Sequence, residues 1–204
     1  MRVVRVLAVI ALLGAAAACS SSAASTPKGA RAFSIAGHHA VELGTGTTAV
    51  VMIHGATTHK DSFYPLMPAL AAAGYWGIAY DYDSSGSADV AEIVAYARTH
   101  GAQKVVLIGS SLGAQHAMEA ADSLHVNAVV AFSAEIERTV KEPLLAIASE
   151  HDGNTVTYAT QNVHNAGPNS QLTIVSGNTH GIDLVNPHPE AKATVTKWLA
   201  KILA

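Results

Sequence analysis

Short, nearly continuous apolar runs alternate with longer amphipathic stretches along most of this 204-residue chain, and that alternation restricts the fold more than any other feature. The runs at 48–54 (TAVVMIH), 75–82 (YWGIAYDY), 104–108, 128–132, 144–149 and 171–175 read as strands. Stretches 63–73, 88–99, 112–124, 155–165 and 189–203 read as helices. Gly74 and Gly101 stop two of them, Ser87 is placed to cap a third, and Pro189 opens the last. A strand that is apolar at consecutive positions is buried on both faces. It therefore belongs to a mostly parallel sheet with helices on either side. Strands near 33–43 add an antiparallel edge. The expected class is a single α/β domain, with ligands at the carboxyl ends of the strands.

Half of the residues are hydrophobic and 13% are charged, with a net charge of −3. Such a chain folds, and without a basic stripe nucleic acid is not an expected partner. The N-terminus stands apart from the domain. A positive start, MRVVR, and an apolar run, VLAVIALLGAAAA, lead to Cys19, the single cysteine. That layout is a secretory signal peptide over 1–18. The residues before Cys19 resemble a bacterial lipoprotein cleavage box, with Ala16 where leucine is usual. The resemblance implies a lipid on Cys19, membrane attachment and a place in the cell envelope. An ordinary cleavage nearby would instead leave a free thiol. Residues 19–30 comprise Cys19 and a polar, Pro-containing tether, and the domain runs from 31 to 204.

The segment GTGTTA, 44–49, has dinucleotide-fingerprint spacing but precedes a strand instead of following one, so it reads as a turn. No phosphate loop and no H-E-x-x-H accompany the eleven histidines. Neither a metal nor a cofactor is expected.

Chemistry concentrates at Gly109-Ser110-Ser111-Leu112-Gly113, between an expected strand and an expected helix. In G-x-S-x-G the serine projects from a strained turn, and side chains two residues either side would collide with it. Ser111 has glycine at both −2 and +2, whereas Ser110 does not. A serine hydroxyl needs a base to remove its proton, and the base needs a carboxylate to orient it. Asp152 follows the strand 144–149, and His180 follows the strand 171–175. Asp152 as a cap of the helix near Thr155 is the competing assignment, with Glu150 or Glu135 then supplying the acid. His151, His116 and His188 are less well placed than His180.

From about Arg31 onward the chain resembles a small, lidless α/β-hydrolase of the esterase and dienelactone-hydrolase kind. The elbow, the acid after the next-to-last strand, the His-Gly after the last strand and the early VMIHGATTH carry the resemblance. It implies a Ser111–His180–Asp152 triad, with Gly109 and Gly113 flanking the serine. It also implies an oxyanion hole from the backbone N–H groups of Ala56 and Leu112, supported by His54 and Gly55. The implied reaction is hydrolysis of a small carboxylic ester through an acyl-enzyme. Only about ten residues separate the strand 128–132 from Pro143, which leaves no room for a lid. The site is then bounded by loops 56–64, 83–87, 133–142 and 178–188, with Phe63, Tyr64, Ile136 and Leu184 as expected walls. Two other classes remain open: a non-catalytic envelope-binding lipoprotein, and thioester, peptide or acyl-transfer chemistry from the same triad.

Overall fold

The computed structural model describes residues 25–82 and 87–204. The leader, Cys19 and most of the loop 83–87 lie outside the described residues. Eight strands form one sheet: β1 Arg31–Ile35, β2 His38–Leu43, β3 Thr48–Ile53, β4 Trp76–Tyr80, β5 Lys104–Ser110, β6 Ala128–Phe132, β7 Leu144–Ser149 and β8 Gln171–Val175. Their spatial order is β1-β2-β4-β3-β5-β6-β7-β8. The β1–β2 hairpin is antiparallel and joins β4 antiparallel; the other pairings are parallel.

Side chains alternate across β3. Ala49, Val51 and Ile53 enter one core with α2 (Ser87–Thr99), α3 (Leu112–Leu124) and α4 (Thr155–His164). Val50 and Met52 enter the other, with α1 (Met67–Ala72) and α5 (Pro189–Ile202). Both faces are covered, which explains the unbroken apolar strands. Each fully buried Val, Ile or Leu contributes about 1.5–3 kcal/mol, so the central strands form a stiff platform. No helix among the described residues is long and apolar enough to cross a membrane.

One expectation changes. The single helix expected over 63–73 is a 3-10 turn, Lys60–Phe63, followed by the short α1. Pro65 and Pro68 account for the break: neither carries a backbone N–H, so neither can extend the helical hydrogen-bond ladder from the turn before it. A second 3-10 turn, Gly181–Val185, follows the loop after β8. The link 133–143 between β6 and β7 holds no helix and no lid.

Register fixes where the site lies. Ile53 pairs with Gly109, Ser110 with Phe132, Phe132 with Ile147, and Ser149 with Val175. The carboxyl ends of these strands are therefore level, and the loops leaving them share one rim.

Candidate active site

Ser111 sits between β5 and α3 with φ 53° and ψ −117°, outside the backbone regions an L residue normally occupies. Such a conformation costs about 1–3 kcal/mol and persists only where its surroundings enforce it. The enforcement is visible. The Ser111 N–H donates to the Phe132 carbonyl at 2.8 Å. A Cβ at Gly109 would lie 2.2 Å from the Gly113 oxygen, and one at Gly113 would lie 2.1 Å from the Ile53 oxygen. Both glycines are required by close backbone approach, so the turn is as tight as its sequence implies.

Asp152 and His180 meet across the ends of β7 and β8. His180 Nδ1 is 2.9 Å from both carboxylate oxygens of Asp152. A carboxylate only accepts, so the Nδ1–H donates and the Nε2 lone pair is left free. The Asp152 carboxylate touches α4 through Thr155 Oγ1, which donates to Oδ2 at 3.3 Å, a longer contact than those to His180. The N-cap there is Asn154, which makes no side-chain cap bond, while Thr155 Oγ1 donates to the Asp152 carbonyl at 2.7 Å. Glu150 pairs instead with its neighbour His151 at 3.9 Å.

Ser111 and His180 line one cavity of about 300 Å³, together with Gly55, Ala56, Thr57, Thr58, Ser110, Gly181, Ile182 and Asp183. His180 bonds to Asp152 and not to Ser111 here; such contacts often close only when substrate binds. Ala56 lies in a turn closed by the Thr58 N–H donating to the Gly55 carbonyl at 3.3 Å. The Gly55 N–H donates to Thr58 Oγ1 at 2.9 Å. Leu112 is the first residue of α3, where backbone N–H groups have no partner within the helix.

His54 lies behind this loop and is 4% exposed. Its Nδ1–H donates to the Gly55 carbonyl at 2.7 Å, and its Nε2 accepts from the Tyr82 N–H at 3.3 Å. Tyr82 stacks on the ring, with centroids 4.2 Å apart, and its hydroxyl donates to the His54 carbonyl. Burial holds the imidazole below its ordinary pKa, consistent with a neutral ring using one nitrogen as donor and the other as acceptor.

Next to it, burial pushes the Asp81 carboxyl up, but hydrogen bonds from the Lys60 side chain and backbone outweigh this and leave it below the ordinary value. His54, His59 and Asp81 bring potential ligand atoms within 4.8 Å of one another. A cation there would have to displace the Lys60 ammonium from Asp81 and replace one of the two hydrogen bonds of the His54 ring.

The expected apolar walls are not in the cavity. Phe63 and Leu184 are fully buried and Tyr64 nearly so, all in the core beneath α1 and α5. Ile136 packs on the opposite core. The hydrophobic gain of tucking these side chains under their short loops exceeds anything an open rim offers. Thr57, Thr58, Ile182 and Asp183 take their place.

Three serines with no positioning role assigned from the sequence hold the histidine loop. Ser149 Oγ donates to the Thr179 carbonyl at 2.6 Å. Ser133 Oγ accepts from the Gly181 N–H, and Ser110 Oγ from the Ile182 N–H, each at 2.9 Å. All three are buried. They stand at or just past the ends of β7, β6 and β5, so successive strands grip residues 179, 181 and 182 on both sides of His180. The one signal available was the recurrence of serine after apolar runs: IGS, AFS and IAS.

The fold is similar to that of an esterase from Pyrococcus furiosus, at 16% identity and a TM-score of 0.70 over 86% of this chain and 92% of that one. A monoacylglycerol lipase from Paleococcus ferrophilus shares 14% identity at a TM-score of 0.70, over 80% of this chain and 98% of that one. A serine hydrolase without a lid from Xanthomonas campestris shares 13% identity at 0.68, over 86% and 96% of the two chains. At these identities the likeness is one of fold. No curated protein sequence matches the chain. Residues 50–191, well over half of the chain, match the model of the alpha/beta hydrolase family, and the protein belongs to that family.

Proposed function

We propose that the protein is a serine hydrolase that cleaves small, accessible carboxylic esters through an acyl-enzyme. One observation carries the proposal: an imidazole oriented by a carboxylate shares a cavity with a serine held in a strained elbow. Ser111 Oγ attacks the ester carbonyl while His180 Nε2 takes its proton. The carbonyl oxygen becomes an oxyanion facing the N–H groups of Ala56 and Leu112. Each such donor contributes about 3–4 kcal/mol to lowering the barrier. The C–O bond then breaks, and His180 returns its proton to the leaving alcohol. Water, deprotonated by the same imidazole, attacks the acyl-serine and releases the acid. Asp152 stays ionised and keeps the proton on Nδ1, so that Nε2 remains a base. His54 holds the oxyanion loop from behind.

The leader reading belongs to the same proposal. A lipid on Cys19 would tether the domain to a membrane at the cell envelope, with residues 19–30 as the spacer. Replacing Ser111 by Ala tests the reaction. Turnover of p-nitrophenyl acetate is expected to vanish while circular dichroism is unchanged, and hydrolysis retained by that variant would exclude Ser111 as nucleophile.

A further inference from the structure

The walls and charges of the cavity say more about the substrate than its fold does. Among the described residues its lining is glycine, alanine, threonine and serine with His180 and Asp183, and Ile182 is the one larger aliphatic side chain, itself only 1% exposed. Among the described residues, no lysine or arginine lines it. Two carboxylates face it or stand directly behind it: Asp152, bonded to His180, and Asp183, three residues further on at the exposed rim. In the tautomer that leaves Nε2 free, His180 is neutral and cancels neither charge. The nearest ammonium in the adjoining loop, Lys60, is paired with Asp81. The pocket is therefore small, and the charged side chain at its rim is a carboxylate.

We infer that, within the ester hydrolysis proposed above and resting on it, this site selects short-acyl esters that carry a positive charge, with Asp183 as the residue that recognises the cation. The charge sits on the alcohol, as in a quaternary ammonium ester, or on the acyl group, as in an aminoacyl ester. Anionic esters are repelled by the same carboxylates. A rim carboxylate a few ångströms from a substrate cation, in a medium between water and protein, gives a preference of about fivefold in kcat/KM. Salt screens it, so the preference shrinks as ionic strength rises towards about 0.5 M. A cavity of about 300 Å³ leaves little room for a chain, so rates fall once the acyl group is longer than about four carbons.

The test compares isosteres on the intact protein. Acetylcholine and 3,3-dimethylbutyl acetate differ in charge and hardly in shape, and the acetate ester of 3-hydroxypropanesulfonate supplies the anion. Glycine and propionate p-nitrophenyl esters place the comparison on the acyl side. A cationic-to-neutral ratio well above one on either side supports the inference, and the side identifies where the cation sits. That ratio should fall towards one in Asp183→Asn and below one in Asp183→Lys. Ratios near one on both sides, or ratios that both variants leave unchanged, overturn the inference. In that event, neutral-ester turnover that Ser111→Ala abolishes leaves the hydrolase reading intact. No turnover of any of these esters overturns both.

Discussion

Replacing Gly181 by Ala probes the histidine loop at the point where its backbone is least able to yield. Gly181 has φ +64°, and an added Cβ would lie 2.5 Å from Ser110 Oγ. Two costs follow. Left-handed backbone costs an alanine about 1–2 kcal/mol. The clash also drives Ser110 Oγ away from the Ile182 N–H, which it now meets at 2.9 Å. Both partners are buried, and an orphaned buried donor costs about 1–3 kcal/mol. The expected loss is about 2–5 kcal/mol by urea unfolding. Gly177→Ala is the control: φ is +88° there but nothing lies within 4 Å of the added carbon, so only the backbone cost of about 1–2 kcal/mol applies. Ser110→Ala removes the hydroxyl, leaving a Cβ 3.9 Å from the new one. Ser110→Ala and Gly181→Ala share the loss of one hydrogen bond, so the double variant should fall short of their sum by about 1–3 kcal/mol. Because His180 precedes Gly181, kcat for ester hydrolysis should drop about a hundredfold in Gly181→Ala, the effect of displacing a reacting group by about 1 Å. Equal stabilities for Gly181→Ala and Gly177→Ala, or strict additivity with Ser110→Ala, would refute the reasoning.

Ser149→Ala should lower kcat with little change in KM, because it frees the Thr179 carbonyl and loosens the ring without touching the cavity wall; an unchanged kcat would remove Ser149 from the positioning set. His54 gives a pH signature. Its pKa is lowered by burial in the folded chain, so the unfolded chain binds the proton more readily. Its contribution to stability is complete above the ordinary imidazole value of about 6.5 and is lost progressively as pH falls below it. Urea midpoints at pH 7.5 and 5.5 should therefore differ less in His54→Gln than in the unaltered protein, and equal differences would contradict the assignment.

The sheet and the elbow were legible because each rests on local sequence. A strand buried on both faces has to be apolar at consecutive positions, as Ala49 to Ile53 are, and a turn that places Gly113 against the Ile53 carbonyl has to be glycine. The break before α1 was also written in the chain, in Pro65 and Pro68, but the periodicity of the surrounding apolar residues concealed it. The cavity walls were not legible. Phe63, Tyr64 and Leu184 occupy loops that border the site, and whether a loop side chain turns inward or towards the rim depends on the volume left beneath it. The serine clamp depends on register between strands far apart in sequence: Ser110 and Ile182 are 72 residues apart. Asp152 beside His180 lies between these extremes, with chain order suggesting the pair and the level ends of β7 and β8 bringing the two side chains together.

The central claim is that Ser111 is a nucleophile activated by His180. Treating the purified protein with a fluorophosphonate and mapping the adduct by mass spectrometry tests it most directly. The account predicts a single phosphonylated residue, Ser111, with labelling lost in His180→Ala. An unmodified Ser111, or a modification of equal extent without His180, would contradict it.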